Sequence, residues 1–200
     1  GMIFHNIELP LEEIADKKFE FSEILKKKEQ IEVEIGFCSG FFLSEYANDN
    51  PEKGFLGIEI SRKFFKRGEK NLKRLLKQDN VRVTCFDAVP VVRELIPFNS
   101  VDAFHIYFPD PWPKKKHHKF RTLRFENFLL FYNRLKPGGR IYIATDHPEY
   151  AEFIRREIAV SSEFFNVLPY GIEDRKIKTK WEKKQIADCW PINYFLLEKR

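Results

Sequence analysis

The sequence predicts an α/β fold, a mostly parallel sheet with helices on both faces, on three observations. Five short runs rich in β-branched and aromatic residues read as strands, segments with helical spacing separate them, and Pro and Gly stop signals stand at a helix end. The 200 residues, with 43% hydrophobic content and 21 Phe, can bury a substantial core, and this length favours one domain over 1–200.

In chain order, Ile31 to Ile35 (IEVEI) is the first strand and Gly54 to Ile60 (GFLGIEI) the second. SRKFFKRGEKNLKRLLKQ follows, with Phe64, Gly68, Leu72 and Leu76 four apart and Phe65 and Leu75 alongside; this apolar stripe predicts a helix whose other face is basic and wet. Val81 to Phe86 and Val101 to Phe108 are the third and fourth strands. Leu123 to Leu135 is helical and is ended by LKPGG, Arg140 to Thr145 is the fifth strand, and Glu149 to Ile158 is helical again. Gly171 to Lys184 is charged and non-periodic, and Ile192 to Glu198 (INYFLLE) reads as a last strand.

No apolar run approaches the ~18 residues that mark a membrane span. The start interleaves acids with apolar residues, unlike a signal peptide, so a soluble cytoplasmic protein is expected. Cys38, Cys85 and Cys189 are odd in number and form no C-x-x-C pair, which points to free thiols and not to disulfides or structural zinc. The net charge of +5 suits a polyanionic partner.

Ligands of open α/β sheets lie outside the carboxyl ends of the strands. Acids recur there: Glu34 near the end of the first strand, Glu59 of the second, Asp87 past the third and Asp110 past the fourth. One such acid is ordinarily a cap; four in succession indicate a shared ligand, cationic or rich in hydroxyls. The turn GFCSG has Cys38 and Phe41 where a dinucleotide fingerprint needs glycine, so a pyrophosphate fits poorly, whereas a ligand without phosphates can approach through Gly36 and Gly40. S-adenosylmethionine, with a sulfonium, an ammonium and ribose hydroxyls, meets that description.

EIGFCSG, GIEI, Asp87-Ala88, FPDPWPKKKHHKFR, LKPGG, ATD (Ala144 to Asp146) and TKWE (Thr179 to Glu182) together resemble the bacterial-type tRNA (guanine-N7)-methyltransferase family, from about Glu32 to the C-terminus. The resemblance implies a class I methyltransferase fold: a Rossmann-like three-layer sandwich with a seven-stranded, mostly parallel sheet and an antiparallel last strand. Within it, 1–29 is an N-terminal extension and 171–185 a charged loop on the substrate side. It implies methyl transfer from S-adenosyl-L-methionine to N7 of guanine 46 in the tRNA variable loop. By the same analogy Glu34, Gly36, Gly40, Glu59, Asp87 and Asp110 bind the cofactor, with Asp110 also catalytic. Lys114, Asp146, Thr179, Lys180, Trp181 and Glu182 contact substrate, and Lys116, His117, His118, Lys119 and Arg121 lie along the RNA. No metal is expected, no obligatory protein partner is evident, and monomer or homodimer stays open. The chain departs from the family at Cys38, where glycine is usual, and ahead of the first strand, where little matches.

Guanine N7 has a free lone pair at neutral pH, so alkylation needs no general base; the task is to align N7 with the methyl and to stabilise the charge that moves to the purine. Pro109 and Pro111 restrict the backbone around Asp110 for that purpose. Trp112 is either a stacking surface for a base or a packing anchor. The alternatives are a methyltransferase of this fold acting on another RNA base or a protein, and a non-catalytic RNA-binding subunit.

Overall fold

The computed structural model describes residues 6–9, 11, 25 and 28–200. Seven strands form one sheet in the order β3-β2-β1-β4-β5-β7-β6. They are β1 (Ile31–Ile35), β2 (Gly54–Ile58), β3 (Val81–Thr84), β4 (Val101–Tyr107), β5 (Leu135–Thr145), β6 (Phe165–Leu168) and β7 (Asn193–Lys199). The first five run parallel, and β7 is antiparallel to both β5 and β6. Every residue of β1 and β2 is buried, as both faces of a parallel sheet must be when helices cover them.

From β1 onward, six α-helices among the described residues connect the strands: α1 (Phe41–Asp49), α2 (Arg62–Leu75), α3 (Ala88–Leu95), α4 (Phe125–Arg134), α5 (Pro148–Val160) and α6 (Lys180–Ala187). α1 packs on α2 over one face, where Leu43, Phe65, Leu72 and Val83 share a core; α4 packs on α3 and α5, where Phe128, Phe131, Tyr150 and Ile154 share another. Phe65, Gly68 and Leu72 are the buried residues of α2, the stripe expected from their spacing. Gly68 is required by proximity: a Cβ there would lie 2.4 Å from the Cys38 carbonyl oxygen. α2 therefore rests directly on the turn that follows β1.

Several expectations are corrected. LKPGG follows the end of α4 at Arg134 as expected, but the fifth strand begins at Leu135 and not at Arg140: Leu135 lies opposite Val101, and a register shift precedes the regular ladder from Arg140. The segment 171–185 is not one loop, because a 3₁₀ turn occupies Ile172–Asp174 and α6 starts at Lys180. The seven strands implied by the resemblance are present, and α1, α3 and β6 take up ranges to which the sequence assigns no element. Most of the N-terminal extension lies outside the described residues, but Ile7 and Leu9 exchange backbone hydrogen bonds with Val83 and so lengthen the sheet beyond β3.

Candidate active site on the carboxyl rim

Register brings the strand-end acids to one edge. Glu34 lies opposite Gly57 on one side and His105 on the other. Hydrogen bonds from Gly36 to Ile58 (2.7 Å), from Glu59 to Thr84 (3.1 Å) and from Phe108 to Ala144 (2.8 Å) carry the ladder to the point where each chain turns away. Beyond it stand Asp87 and Asp110, both exposed.

The four acids differ in what already occupies them. Glu59 is buried; its Oε2 accepts from the Cys38 N–H (3.0 Å) and its Oε1 from the Ser61 N–H (2.9 Å), so it ties the glycine turn to the start of α2. Two carboxylate lone pairs remain for hydroxyl donors. Asp87 caps α3 by accepting from the Val89 N–H. Asp110 accepts from the Trp112 N–H (3.0 Å). Glu34 is the exception: buried, with an Oε2 that has no hydrogen-bond partner. Burial pushes its carboxyl well above the usual range, Arg175 pulls it down, and Glu59 pushes it up again. A buried polar oxygen left open is a place where a ligand donor or an ordered water can bind. Beside it Gly36 has φ +78° and open space where a side chain would project. A cationic ligand with donors, such as S-adenosylmethionine, fits this pair of features.

The rim is strained. Cys38 (φ 51°), Phe108 (φ 51°) and Trp112 (φ 43°) all adopt the left-handed region that non-glycine residues avoid. Glycine at position 38 would remove that strain, which gives the departure from the family pattern a physical meaning.

The segment after β4 is anchored by a residue assigned otherwise from sequence. Arg121, expected along the RNA, is fully buried: it donates to the Pro111 carbonyl (2.8 Å), pairs with Glu149 of α5 and lies over the Tyr150 and Phe153 rings. It clamps the chain beside Asp110 and cannot reach an external phosphate. Trp112 packs on His117 and Phe120, the anchor alternative, and His118 turns toward Phe153. Lys114, Lys115, Lys116 and Lys119 remain exposed on or beside the 3₁₀ turn Lys115–Phe120.

TKWE carries a local signal that spacing alone reveals. Thr179 Oγ1 accepts from the Glu182 N–H (3.0 Å) and Glu182 Oε1 from the Thr179 N–H (3.1 Å), a capping box for α6. Glu182, expected to touch substrate, is fully buried; Arg175 donates to both its oxygens and Tyr194 to one. Trp181 and Lys180 are left on the surface. Trp181 donates to Asp146 (2.9 Å), as does Gln185 (2.7 Å), while Trp190 donates to the Asp146 carbonyl (2.9 Å). Pro111, Asp146, His147, Trp181 and Trp190 line an open depression of about 310 Å³ one residue from Asp110. The structure thus joins Asp146 and Trp181 to the neighbourhood of Asp110.

Sequence reasoning missed Arg175, which lies 3.9 Å over the Tyr107 ring, and the buried chain Lys53, Glu32, His105 and Tyr107 beneath the rim. Burial opposes ionisation of Glu32, but His105 and Lys53 outweigh it and hold the carboxyl at about 2. The first acid of IEVEI, Glu32, was the available sign, since an acid inside a buried strand needs a partner.

Known proteins resemble this chain over most of its length. A family described as "Putative methyltransferase" matches residues 28–188. A tRNA (guanine-N(7)-)-methyltransferase of Francisella philomiragia is 36% identical over 190 residues, covering 92% of this chain and 81% of the relative. That of Thermotoga maritima is 36% identical over 184 residues, covering 92% of this chain and 58% of the longer relative. A solved antibiotic-related methyltransferase superimposes with a TM-score of 0.59 at 15% identity, covering 98% and 96% of the two chains, and so shares the fold.

Proposed function

Because the chain belongs to the tRNA (guanine-N(7)-)-methyltransferase family, we propose that it transfers the methyl of S-adenosyl-L-methionine to N7 of guanine 46 in the variable loop of tRNA. The observation that carries this reading is Glu34, a buried carboxylate with an unpartnered oxygen on the rim that also holds Asp110 and the lysine arm.

When bound, the donor supplies an electrophilic methyl on a cationic sulfur. Glu34 faces its positive charge, and Glu59 and Asp87 accept from its hydroxyls with the lone pairs that backbone N–H groups leave free. Gly36 and Gly40 keep the turn open to it. Asp110 accepts from the amino edge of guanine and favours the cationic purine that forms, and the clamp of Arg121 on Pro111 limits its movement. Asp146 and Trp181 border the depression that takes the base, and Thr179 and Lys180, at the start of the same helix as Trp181, contact the substrate beside it. Lys114, Lys116 and Lys119 hold phosphates, with His117 and His118 packed behind them.

The deciding experiment is labelled-methyl transfer to unmodified tRNA, mapped by chemical cleavage at N7-methylguanine. Label at guanine 46 supports the reading; label only in another base or in protein overturns it. Charge reversal at Lys116 and Lys119 weakens tRNA binding and flattens its salt dependence.

A further inference from the structure

The exposed face of α2 breaks the local rules that stabilise a helix. Its fourteen residues hold seven cations and one acid, Glu69, which pairs with Lys73. That excess is larger than the net charge of the whole chain, +5. Arg62, Lys63, Lys66, Arg67, Lys70 and Arg74 are exposed, and among the described residues none has an acidic partner within 4 Å. They stand in like-charged i,i+4 pairs, Arg62 with Lys66, Lys63 with Arg67, Lys66 with Lys70 and Lys70 with Arg74, each of which is repulsive. The first turn has two cations and no acid, opposite to what the helix dipole favours. A face needed only for solubility mixes its charges; one that breaks local rules this consistently marks function.

The helix begins at the candidate site. Ser61 caps its first turn and donates its own N–H to Glu59, and Gly68 rests against the Cys38 carbonyl. Arg67 is close enough to Cys38, and Arg62 to Cys85, for their charges to act on those thiols. The helix extends about 21 Å, well beyond the ~8 Å over which physiological salt screens a charge. Its apolar stripe is consumed by the core at Phe65 and Leu72, and Phe64 is the one large apolar side chain it exposes; a single ring among six exposed cations favours a polyanion over insertion into a bilayer.

We propose that the exposed face of α2 is a second phosphate-binding track, holding tRNA backbone on the Glu59 side of the site while the lysine arm holds it on the Asp110 side. This rests on tRNA being the substrate. The two tracks flank the acids, so the polyanion is attracted past a carboxylate rim that repels it, and the base is delivered between them.

The test is the double variant Lys66→Glu with Lys70→Glu, both residues exposed and outside the acid rim. Expected results are an unchanged or higher Tm, because repulsion is relieved, unchanged donor affinity by calorimetry, and tRNA affinity about tenfold or more weaker at 50 mM salt with a shallower salt slope. Unchanged affinity and slope, in a wild type that binds tRNA, overturn this inference alone. A wild type that does not bind tRNA overturns the substrate reading as well. Loss of binding to phosphatidylserine vesicles with tRNA binding intact assigns the face to lipid and overturns the inference.

Discussion

Arg175 and Glu182 form a two-point ion pair, at 2.7 and 3.1 Å, with side chains only 3% and 0% exposed. Seven residues apart, they fold the segment ahead of α6 back over Tyr107 and Phe42. Arg175→Met strands the buried carboxylate and is expected to lower stability by about 3–5 kcal/mol in urea unfolding. Adding Glu182→Gln recovers much of the loss; no recovery would show that packing on Tyr107, not charge pairing, holds the segment.

Glu34→Gln is expected to stabilise the ligand-free protein while weakening donor binding. The folded-state pKa of Glu34 is raised, so the folded protein holds its proton longer; stability falls as pH rises above the ordinary carboxylate value, and the penalty is complete above the raised pKa. Thermal melts across pH 4 to 8 should diverge, with the variant gaining on the wild type as pH rises. Parallel curves would refute the burial argument.

Glu32 has the opposite sign. Its carboxyl, held at about 2 against an ordinary 4.5, contributes stability above pH 4.5 that is lost as pH falls toward 2. The shift corresponds to roughly 3 kcal/mol. Glu32→Gln should flatten the acid limb of the stability curve.

Asp110→Ala is expected to cut turnover by about 10²-fold or more with Tm within about 2 °C of wild type, because the side chain is exposed and makes one internal bond. Near-normal turnover would remove Asp110 from the catalytic role.

Gly68→Ala gains helix propensity, about 1 kcal/mol in an unhindered helix, yet the new Cβ meets backbone at 2.4 Å. Net destabilisation of about 1–3 kcal/mol is expected, with weaker donor binding because α2 is pushed from the glycine turn. A variant as stable as wild type would mean that the helix slides without cost.

The strand and helix alternation, the apolar stripe of α2 and the acids at the strand ends are legible in the sequence, because they depend on periodicities of two and near four and on residues at or just past a strand's end. Short helices such as α3, at eight residues, gave too few turns for a period to emerge. Which charges meet water depends on how the elements pack. Arg121 and Glu182 read as surface residues in a charged run, yet both are buried, each paired with an opposite charge: Glu149 for Arg121 and Arg175 for Glu182. Arg121 takes its partner from α5, 28 residues on, and Glu182 from a turn seven residues back that must fold onto α6; burial of each charge depends on that fold-back, which no helix or strand period records.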